Sequence, residues 1–227
     1  MNFKLKIKDL KLKTLRTFVF LACLIPLALL GFDAYTDNLG ANPIEVITRS
    51  TGSWTLTFLL ITLSVTPLRR ITGLQGLIKL RRMFGLFAFF YVSLHFTTYI
   101  WLDQFFDFAG IIKDVAKRPF ITVGFSSFVL LIPLALTSSA AMIRRLGRRW
   151  QQLHRLVYLC AIGGVVHFLW LVKADRRQPF IYGAILTFLL AYRAIMKRFE
   201  KIIPWTRPLR FFNSWRRVLR RPGEQLD

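Results

Sequence analysis

Three histidines are the residues of this chain whose type and position could do chemistry, and they lie in two long apolar stretches. His95 belongs to one stretch, and His154 and His167 belong to another. An ionisable side chain inside a membrane-spanning helix is costly and by default marks a functional site. For each histidine taken alone, the alternatives are a structural residue satisfied by its neighbours or a proton relay.

The depths of His95 and His167 indicate a shared ligand. His95 precedes Leu102, where its stretch ends, by seven residues, and His167 precedes Val172 by five. If both helices run outward, the two imidazoles differ in depth by about 3 Å at a rise of 1.5 Å per residue. Two imidazoles at one level on neighbouring helices can supply both axial nitrogens to the iron of a b-type haem. The sequence therefore predicts a metal-binding haem site between His95 and His167.

Small and hydroxyl-bearing residues accompany both histidines. Gly163 and Gly164 precede His167 by one helical turn, where missing side chains would let a porphyrin approach the backbone. Ordinary helix packing would use the same glycine pair, and that alternative stays open. Three further residues share the face of His95 and could orient its imidazole: Tyr91, Thr98 and Tyr99.

His154 lies thirteen residues before His167, about 20 Å of helix rise, which suits a second redox centre nearer the other face. An ideal helix would place the two imidazoles about 140° apart, so we expect it to bend or begin irregularly, with the glycine pair as a candidate position. The helix of His95 offers Arg81 and Arg82 opposite His154. These arginines could pair with a haem propionate or a flavin phosphate, or they could simply anchor the helix on the cytoplasmic side.

Six apolar stretches must position these residues, and each is about long enough to cross the hydrocarbon core of a bilayer as a helix. Hydrophobic residues make up 54% of the chain, more than a soluble domain usually carries. Because lipid offers the backbone no hydrogen-bond partners, each stretch must be helical, and the alternation typical of a barrel is missing. We expect an all-α membrane protein, a six-helix bundle with spans at 17–32, 53–66, 83–102, 121–143, 156–172 and 180–196.

The basic residues predict the orientation of the bundle. Of 33 Lys and Arg residues, 26 lie in segments on the side of the N-terminus and seven in the opposite loops, which carry as many acidic residues. Cytoplasmic loops hold the excess of basic residues, so we expect both termini in the cytoplasm, together with the whole net charge of +22. A nucleic-acid partner is excluded, because the apolar runs leave no soluble scaffold for a basic groove.

The flanking segments complete the predicted organisation: a basic N-terminal segment at 1–16, the helical domain at 17–196 and a basic tail at 197–227. The first stretch is interpreted as an uncleaved anchor, because no small-residue cleavage pattern follows it. The loop at 103–120 is amphipathic and suits the membrane surface, with docking of an external partner as the alternative. Aromatic residues alternate with arginines at 205–221 of the tail, which is typical of attraction to anionic lipid.

Two further patterns limit the classes of function. Cys23 and Cys160 both lie in apolar stretches without a paired cysteine motif, so we expect them to be packed thiols. No internal repeat is visible, which gives no support to a transporter built from inverted repeats. The chain also lacks a glycine-rich nucleotide motif after a strand, a carboxylate pair and a nucleophile with its base. Catalysis on a final substrate would therefore belong to a partner.

The placement of His95, His154 and His167 on the third and fifth of six helices resembles the ferric-reductase-like transmembrane family. The stretches at 64–99 and 144–170 carry the likeness, which extends over essentially the whole chain. Within the family, the chain is most similar to the haem-binding membrane subunits of periplasmic protein-methionine-sulfoxide reductase systems. The resemblance implies that the three histidines are haem ligands and that FMN is a further cofactor. The wider family carries four such histidines, which leaves open whether one haem or two are bound.

The resemblance also implies a role as an electron-transfer subunit in the bacterial inner membrane. Electrons would come from the quinone pool or a cytosolic flavin reductase and pass through haem b. The acceptor would be a periplasmic, molybdopterin-dependent methionine-sulfoxide reductase that repairs oxidised proteins and forms a heterodimer with this subunit. Two alternatives stay open: a direct reductase of ferric or other metal ions at the outer face, and a non-redox membrane transport or assembly protein with structural or proton-relaying histidines.

Overall fold

Helices make up all of the regular structure in the part of the chain that the computed structural model describes. It describes the backbone of residues 3–173 and 175–202, and the side chains of residues 14–173 and 175–199. The all-α prediction is confirmed within these residues. The nine α-helices found there are α1 (Phe3–Tyr35), α2 (Pro43–Thr72), α3 (Ile78–Thr98), α4 (Phe108–Lys117), α5 (Pro119–Leu136), α6 (Ala140–Leu146), α7 (Arg148–Leu153), α8 (Leu156–Leu171) and α9 (Arg177–Ile202).

Six segments of the described chain are long and apolar enough to cross a bilayer, as predicted. They are Thr14–Tyr35, Pro43–Thr72, Gln75–Asp103, Pro119–Leu136, Arg148–Leu171 and Arg177–Phe199. Large apolar side chains remain exposed along them, such as Phe18 at 70% and Leu29 at 59%. Exposure of this extent over whole helices is what hydrocarbon contact requires, since lipid tails are as apolar as the side chains.

The fourth span ends earlier than predicted, at Leu136 rather than at 143. The helix ends just before three hydroxyl-bearing residues, Thr137, Ser138 and Ser139, and Thr137 Oγ1 donates to the Pro133 carbonyl at 2.6 Å. Two residues later, the Ser139 side chain accepts a hydrogen bond from the Met142 amide at 3.2 Å and caps the short helix α6. The predicted span was too long because hydrophobicity continues through 140–143, whereas Ser139 begins a new helix there.

The fifth span is interrupted, and the predicted irregularity is confirmed at a different position. His154 and Arg155 form a turn between α7 and α8, whereas Gly163 lies inside the regular helix α8. The Trp150 indole nitrogen donates to the Thr137 carbonyl at 3.0 Å and ties α7 to the end of α5. His154 therefore lies at a junction between two helices rather than on the face of a continuous one.

The loop at 103–120 contains the amphipathic helix that its sequence predicts. A π-helical turn at Tyr99–Asp103 follows α3, and Phe105 and Phe106 then adopt positive φ angles of 46° and 62°. Asp107 caps α4 through a hydrogen bond from the Gly110 amide at 3.0 Å. Along α4, Ile111 is buried while Ile112 is 70% exposed.

The chain divides into two units, residues 1–189 and residues 190–227. The second contains the end of α9, and the predicted lipid-binding part of the tail at 205–221 lies outside the described residues. In the first, α3 packs mainly along α2, and α8 mainly along α5. The Tyr91 hydroxyl donates to the Cys23 carbonyl of α1 at 2.9 Å. Cys23 and Cys160 are buried free thiols, as expected.

Replacing Tyr91 by phenylalanine tests the attachment of α1. Tyr91→Phe keeps the ring packed on Phe58, at a centroid distance of 5.2 Å, and removes only the hydrogen bond to α1. We expect a loss of about 1 kcal/mol in the free energy of unfolding, seen as a lower thermal midpoint in detergent. Tyr35→Phe is the control, because Tyr35 is 88% exposed. Equal midpoints for the two variants would show that this bond does not hold α1.

Candidate functional site

The imidazoles of His95 on α3 and His167 on α8 face each other across the first unit. Their ring centroids are 6.3 Å apart, and the ring planes are inclined at 78°. The two residues lie at one level, as their distances from the helix ends predicted. Both side chains are half-buried. The structure thus brings together two of the three histidines.

Backbone carbonyls on the neighbouring helices orient both rings. His95 Nδ1 lies 2.9 Å from the Thr48 carbonyl oxygen on α2. His167 Nδ1 lies 2.7 Å from the Phe120 carbonyl oxygen on α5. A carbonyl can only accept, so Nδ1 must carry the proton and donate in each pair. The other ring nitrogen, Nε2, is then the unprotonated one, which is the form that ligates a metal.

Two glycines let the rings lie directly against those neighbouring helices. A Cβ atom built on Gly52 of α2 would lie 3.1 Å from His95 Cε1. A Cβ atom built on Gly124 of α5 would lie 2.7 Å from His167 Nδ1, closer than real Cβ contacts. The missing side chains at these positions therefore make room for the imidazoles in their hydrogen-bonded orientation.

The two halves of the site repeat each other along the chain. Each imidazole lies 47 residues after the carbonyl that it contacts. Adding 72 to the residue numbers of one half gives the other half: Thr48 and Phe120, Gly52 and Gly124, His95 and His167. The side chains of Thr55 and Ser127, also 72 apart, both donate to the carbonyl four residues earlier, at 2.9 and 2.8 Å.

The two halves of the site thus repeat one local geometry, although no repeat is visible in the sequence. Few side chains are identical between the halves, so the relation is carried by backbone positions that sequence inspection passes over. Since successive spans alternate in direction, α2 and α5 run the same way, as do α3 and α8. The repeat is therefore parallel, not inverted, and lends no support to an inverted-repeat transporter.

The separation of the rings fits one iron held between them. A metal–nitrogen bond of about 2 Å plus about 1 Å to the ring centre, on each side, places two axial imidazoles about 6 Å apart. The measured distance is 6.3 Å. Within the described residues, no cluster of three or more His, Cys, Asp or Glu side chains is present. A haem needs only two protein ligands here, because the porphyrin supplies the others.

Sequence inspection missed four positions of this site: Thr48, Gly52, Phe120 and Gly124. One signal was present in the sequence. A glycine precedes a His-Phe dipeptide by 43 residues in both halves, at Gly52 with His95 and at Gly124 with His167. The carbonyls of Thr48 and Phe120 act through the backbone, so their side-chain types carry no signal.

His154 is not brought to the other two histidines. Its Nε2 lies 3.0 Å from the Thr137 hydroxyl, and its ring stacks on Trp150 at a centroid distance of 4.0 Å. Arg81 lies near enough to His154 to act on it electrostatically, as its spacing predicted. Arg82 instead faces a cavity between α1 and α3. At the inner end, the His154 imidazole is therefore already hydrogen-bonded to a hydroxyl, and Arg81 lies within electrostatic range of it.

The remaining predicted site residues contact other helices. A Cβ atom at Gly163 would lie 2.2 Å from Ser127 Oγ, and one at Gly164 would lie 2.8 Å from Leu56 Cδ2. The glycine pair thus permits close packing of α8 on α5 and α2, the alternative named above. The polar groups on the face of His95 bond elsewhere: Tyr91 to Cys23, Thr98 to Leu94 and Tyr99 to Asp114. The Thr48 carbonyl takes the orienting role predicted for them.

Comparison with known proteins places these features in a wider context. A family model described as ferric reductase like transmembrane component matches residues 50–165. A relative from Herminiimonas arsenicoxydans, named protein-methionine-sulfoxide reductase heme-binding subunit MsrQ, is 56% identical over 81% of this chain and 85% of its own. Proteins of the same name from Azospira oryzae and Ralstonia nicotianae are 51% and 52% identical, over 86% and 80% of this chain and 84% and 85% of their own.

Replacing Gly124 or Gly52 by alanine should weaken haem binding, and the effect should be larger where the added Cβ atom lies closer to the histidine ring. Gly124→Ala drives a Cβ atom against the His167 ring, so we expect haem binding to weaken by about tenfold or more. Gly52→Ala, with its closest contact at 3.1 Å, should have a smaller effect. Gly31→Ala is the control, since its Cβ would contact nothing within 4 Å. Haem content and the visible spectrum of the purified proteins measure the effect; equal haem content in all three variants contradicts the assignment.

Proposed function

The chain belongs to the family of ferric reductase like transmembrane components, and from that membership and the facing imidazoles we propose that it carries electrons across a membrane through b-type haem. The single observation that supports this most is the His95–His167 pair, with both Nδ1 atoms held by carbonyls. A haem bound there supplies one-electron chemistry. The relatives named as heme-binding subunits support the same cofactor.

The residues of the chain itself hold, orient and enclose the cofactor. His95 and His167 would hold the iron through their unprotonated Nε2 atoms, because a carbonyl fixes the tautomer of each ring. Rings that are already oriented in this way would need little rearrangement around a redox-active cofactor, which would favour rapid electron transfer. The half-buried setting of both rings limits the access of water and helps to set the reduction potential.

We assign the acceptor from the names of the relatives and from the absence of a catalytic set in the sequence. It is a periplasmic methionine-sulfoxide reductase subunit, molybdopterin-dependent, that forms a heterodimer with this chain and repairs oxidised proteins. The relatives are named as subunits of a protein-methionine-sulfoxide reductase, which supports this partner. The donor is the quinone pool or a cytosolic flavin reductase.

The inner end is the second part of the proposal. Arg81 beside His154 supports a cofactor with negatively charged groups there, a second haem through its propionates or FMN through its phosphate. Assignment of His154 as a ligand, and of Arg82, Gly163 and Gly164 to cofactor binding, stays a prediction. A cofactor there would have to displace the hydrogen bond between His154 and Thr137. It would also have to fit beside the close helix packing at Gly163 and Gly164.

The proposed setting is the bacterial inner membrane, with both termini in the cytoplasm. The unequal distribution of basic residues supports this orientation, since the segments on the side of the N-terminus carry the whole net charge of +22. The division into a basic segment at 1–16, a helical domain at 17–196 and a tail at 197–227 follows the same reasoning.

Replacing the histidines tests the ligand assignment. His95→Ala and His167→Ala should each abolish the reduced b-type bands that dithionite produces, because one axial nitrogen is lost. His154→Ala is the matched control and should keep the bands of the outer haem, since His154 bonds to Thr137 and not to the facing pair. Unchanged spectra in all three variants would overturn the assignment, and a purified wild-type protein without extractable haem would leave only the non-redox alternative.

Reporter insertions test the orientation. Alkaline phosphatase, which is active only outside the cytoplasm, should be active after Lys117 in the outer loop and inactive after Arg145 in α6. The physical reason is the retention of basic segments on the cytoplasmic side. A cytoplasmic fluorescent reporter inserted at the same two sites should show the reverse pattern. Activity after Arg145 instead of after Lys117 would reverse the proposed direction of electron flow.

A further inference from the structure

A cavity of about 480 Å³ lies between α1 and α3, on a side of α3 not occupied by the histidine pair. Nine side chains line it, and they are of two kinds. Three are basic, namely Arg16, Lys79 and Arg82, and six are apolar. The cavity therefore combines a cluster of positive charge with an apolar wall.

No carboxylate among the described side chains balances the positive charge of this cluster. The lining contains no acidic side chain. Among the described residues, ion pairs join Arg49 with Glu45 and Arg118 with Asp114, at other positions in the chain. Three cations that line one cavity repel one another, so an anion between them is stabilised.

The two kinds of lining occupy different depths of the bilayer. Arg16 and Lys79 lie near the starts of the spans Thr14–Tyr35 and Gln75–Asp103, which run in the same direction. Leu24 and Phe90, at the apolar end, each come eight residues further on than a basic residue of the cluster, which is about 12 Å deeper. The basic cluster thus lies at the level of headgroups, and the apolar wall extends into the hydrocarbon.

The apolar wall faces outward from the helices rather than into the core. Phe20 is 47% exposed, and Leu86 and Phe90 are each 37% exposed. Phe20 also packs on Phe87 with ring centroids 5.2 Å apart, which joins α1 to α3 along the cavity. An occupant can therefore enter sideways from the bilayer, with its charged end at the surface.

We propose that this cavity binds one anionic glycerophospholipid, with its phosphate among Arg16, Lys79 and Arg82 and an acyl chain along the apolar wall. A soluble phosphate would satisfy the cations but leave the apolar wall uncovered, and a zwitterionic lipid would compensate less of the charge. Arginine and lysine side chains at the cytoplasmic surface contribute to such binding additively. None of the three histidines lines the cavity, and the test variants leave Arg82 in place, so lipid occupancy and the proposed electron transfer are tested separately.

Native mass spectrometry of the full chain in detergent, with phosphatidylglycerol or phosphatidylcholine added, tests the proposal. The wild type should retain one phosphatidylglycerol in preference to phosphatidylcholine. The double variant Arg16→Gln with Lys79→Gln should bind it on the order of tenfold more weakly. The matched control is Arg148→Gln with Arg149→Gln on α7, which removes two charges outside the cavity and should retain the lipid.

A second variant separates the site from general charge effects. Leu24→Trp keeps all three cations and narrows the apolar slot, so it should also lose the lipid while the thermal midpoint confirms folding. Equal retention of the two lipids by the wild type, or equal loss in the α7 control, would overturn the proposal. Displacement of phosphatidylglycerol by inorganic phosphate would reassign the cavity to a soluble anion, and displacement by FMN would reassign it to the flavin.

Discussion

Two hydrogen bonds, from imidazole Nδ1 to a backbone carbonyl of the neighbouring helix, are the constraint on which the rest of this structure depends. His95 bonds to Thr48 and His167 to Phe120. A helical carbonyl has a second lone pair to offer, so each bond forms without breaking the helix. The ring then lies directly against that helix, where a Cβ atom would be tight at Gly52 and would clash at Gly124. The two bonds thus join α3 to α2 and α8 to α5, the same helix pairs that pack most extensively, and they fix the orientation of each ring.

The same shortage of partners in lipid explains how the other polar groups near the site are arranged. Along α2, the hydroxyls of Thr51, Thr55 and Thr62 donate to carbonyls four residues earlier and so satisfy themselves within their own helix. Thr57 shares a hydrogen bond with Tyr182 of α9 at 3.0 Å. Polar atoms that are paired in this way do not compete for the imidazole nitrogens. The local bonding therefore keeps Nε2 of both histidines available to a ligand.

Features that depend on residue type, such as the membrane spans, could be predicted from the sequence. Features that depend on backbone atoms, such as the carbonyls that orient the histidines, could not. Lipid excludes charge, so the six spans and the level shared by His95 and His167 could be predicted from hydropathy and helix rise. The early end of α5 was missed because a serine cap outweighs four apolar residues after it. The break at His154 was expected, but its position depends on how Trp150 contacts Thr137, a tertiary contact. The orienting carbonyls could not be predicted, because any residue supplies one.

The 72-residue repeat has a consequence for how such a protein could originate. One hairpin of two helices holds a complete half of the site: a carbonyl, a glycine and a histidine. Two identical hairpins related by a twofold axis would rebuild the whole, so an ancestral homodimer needs no more than this unit. Fusing the copies in tandem frees each to diverge. The inner ends of the two halves show that divergence. Arg82 lies thirteen residues before His95, whereas His154 lies thirteen residues before His167.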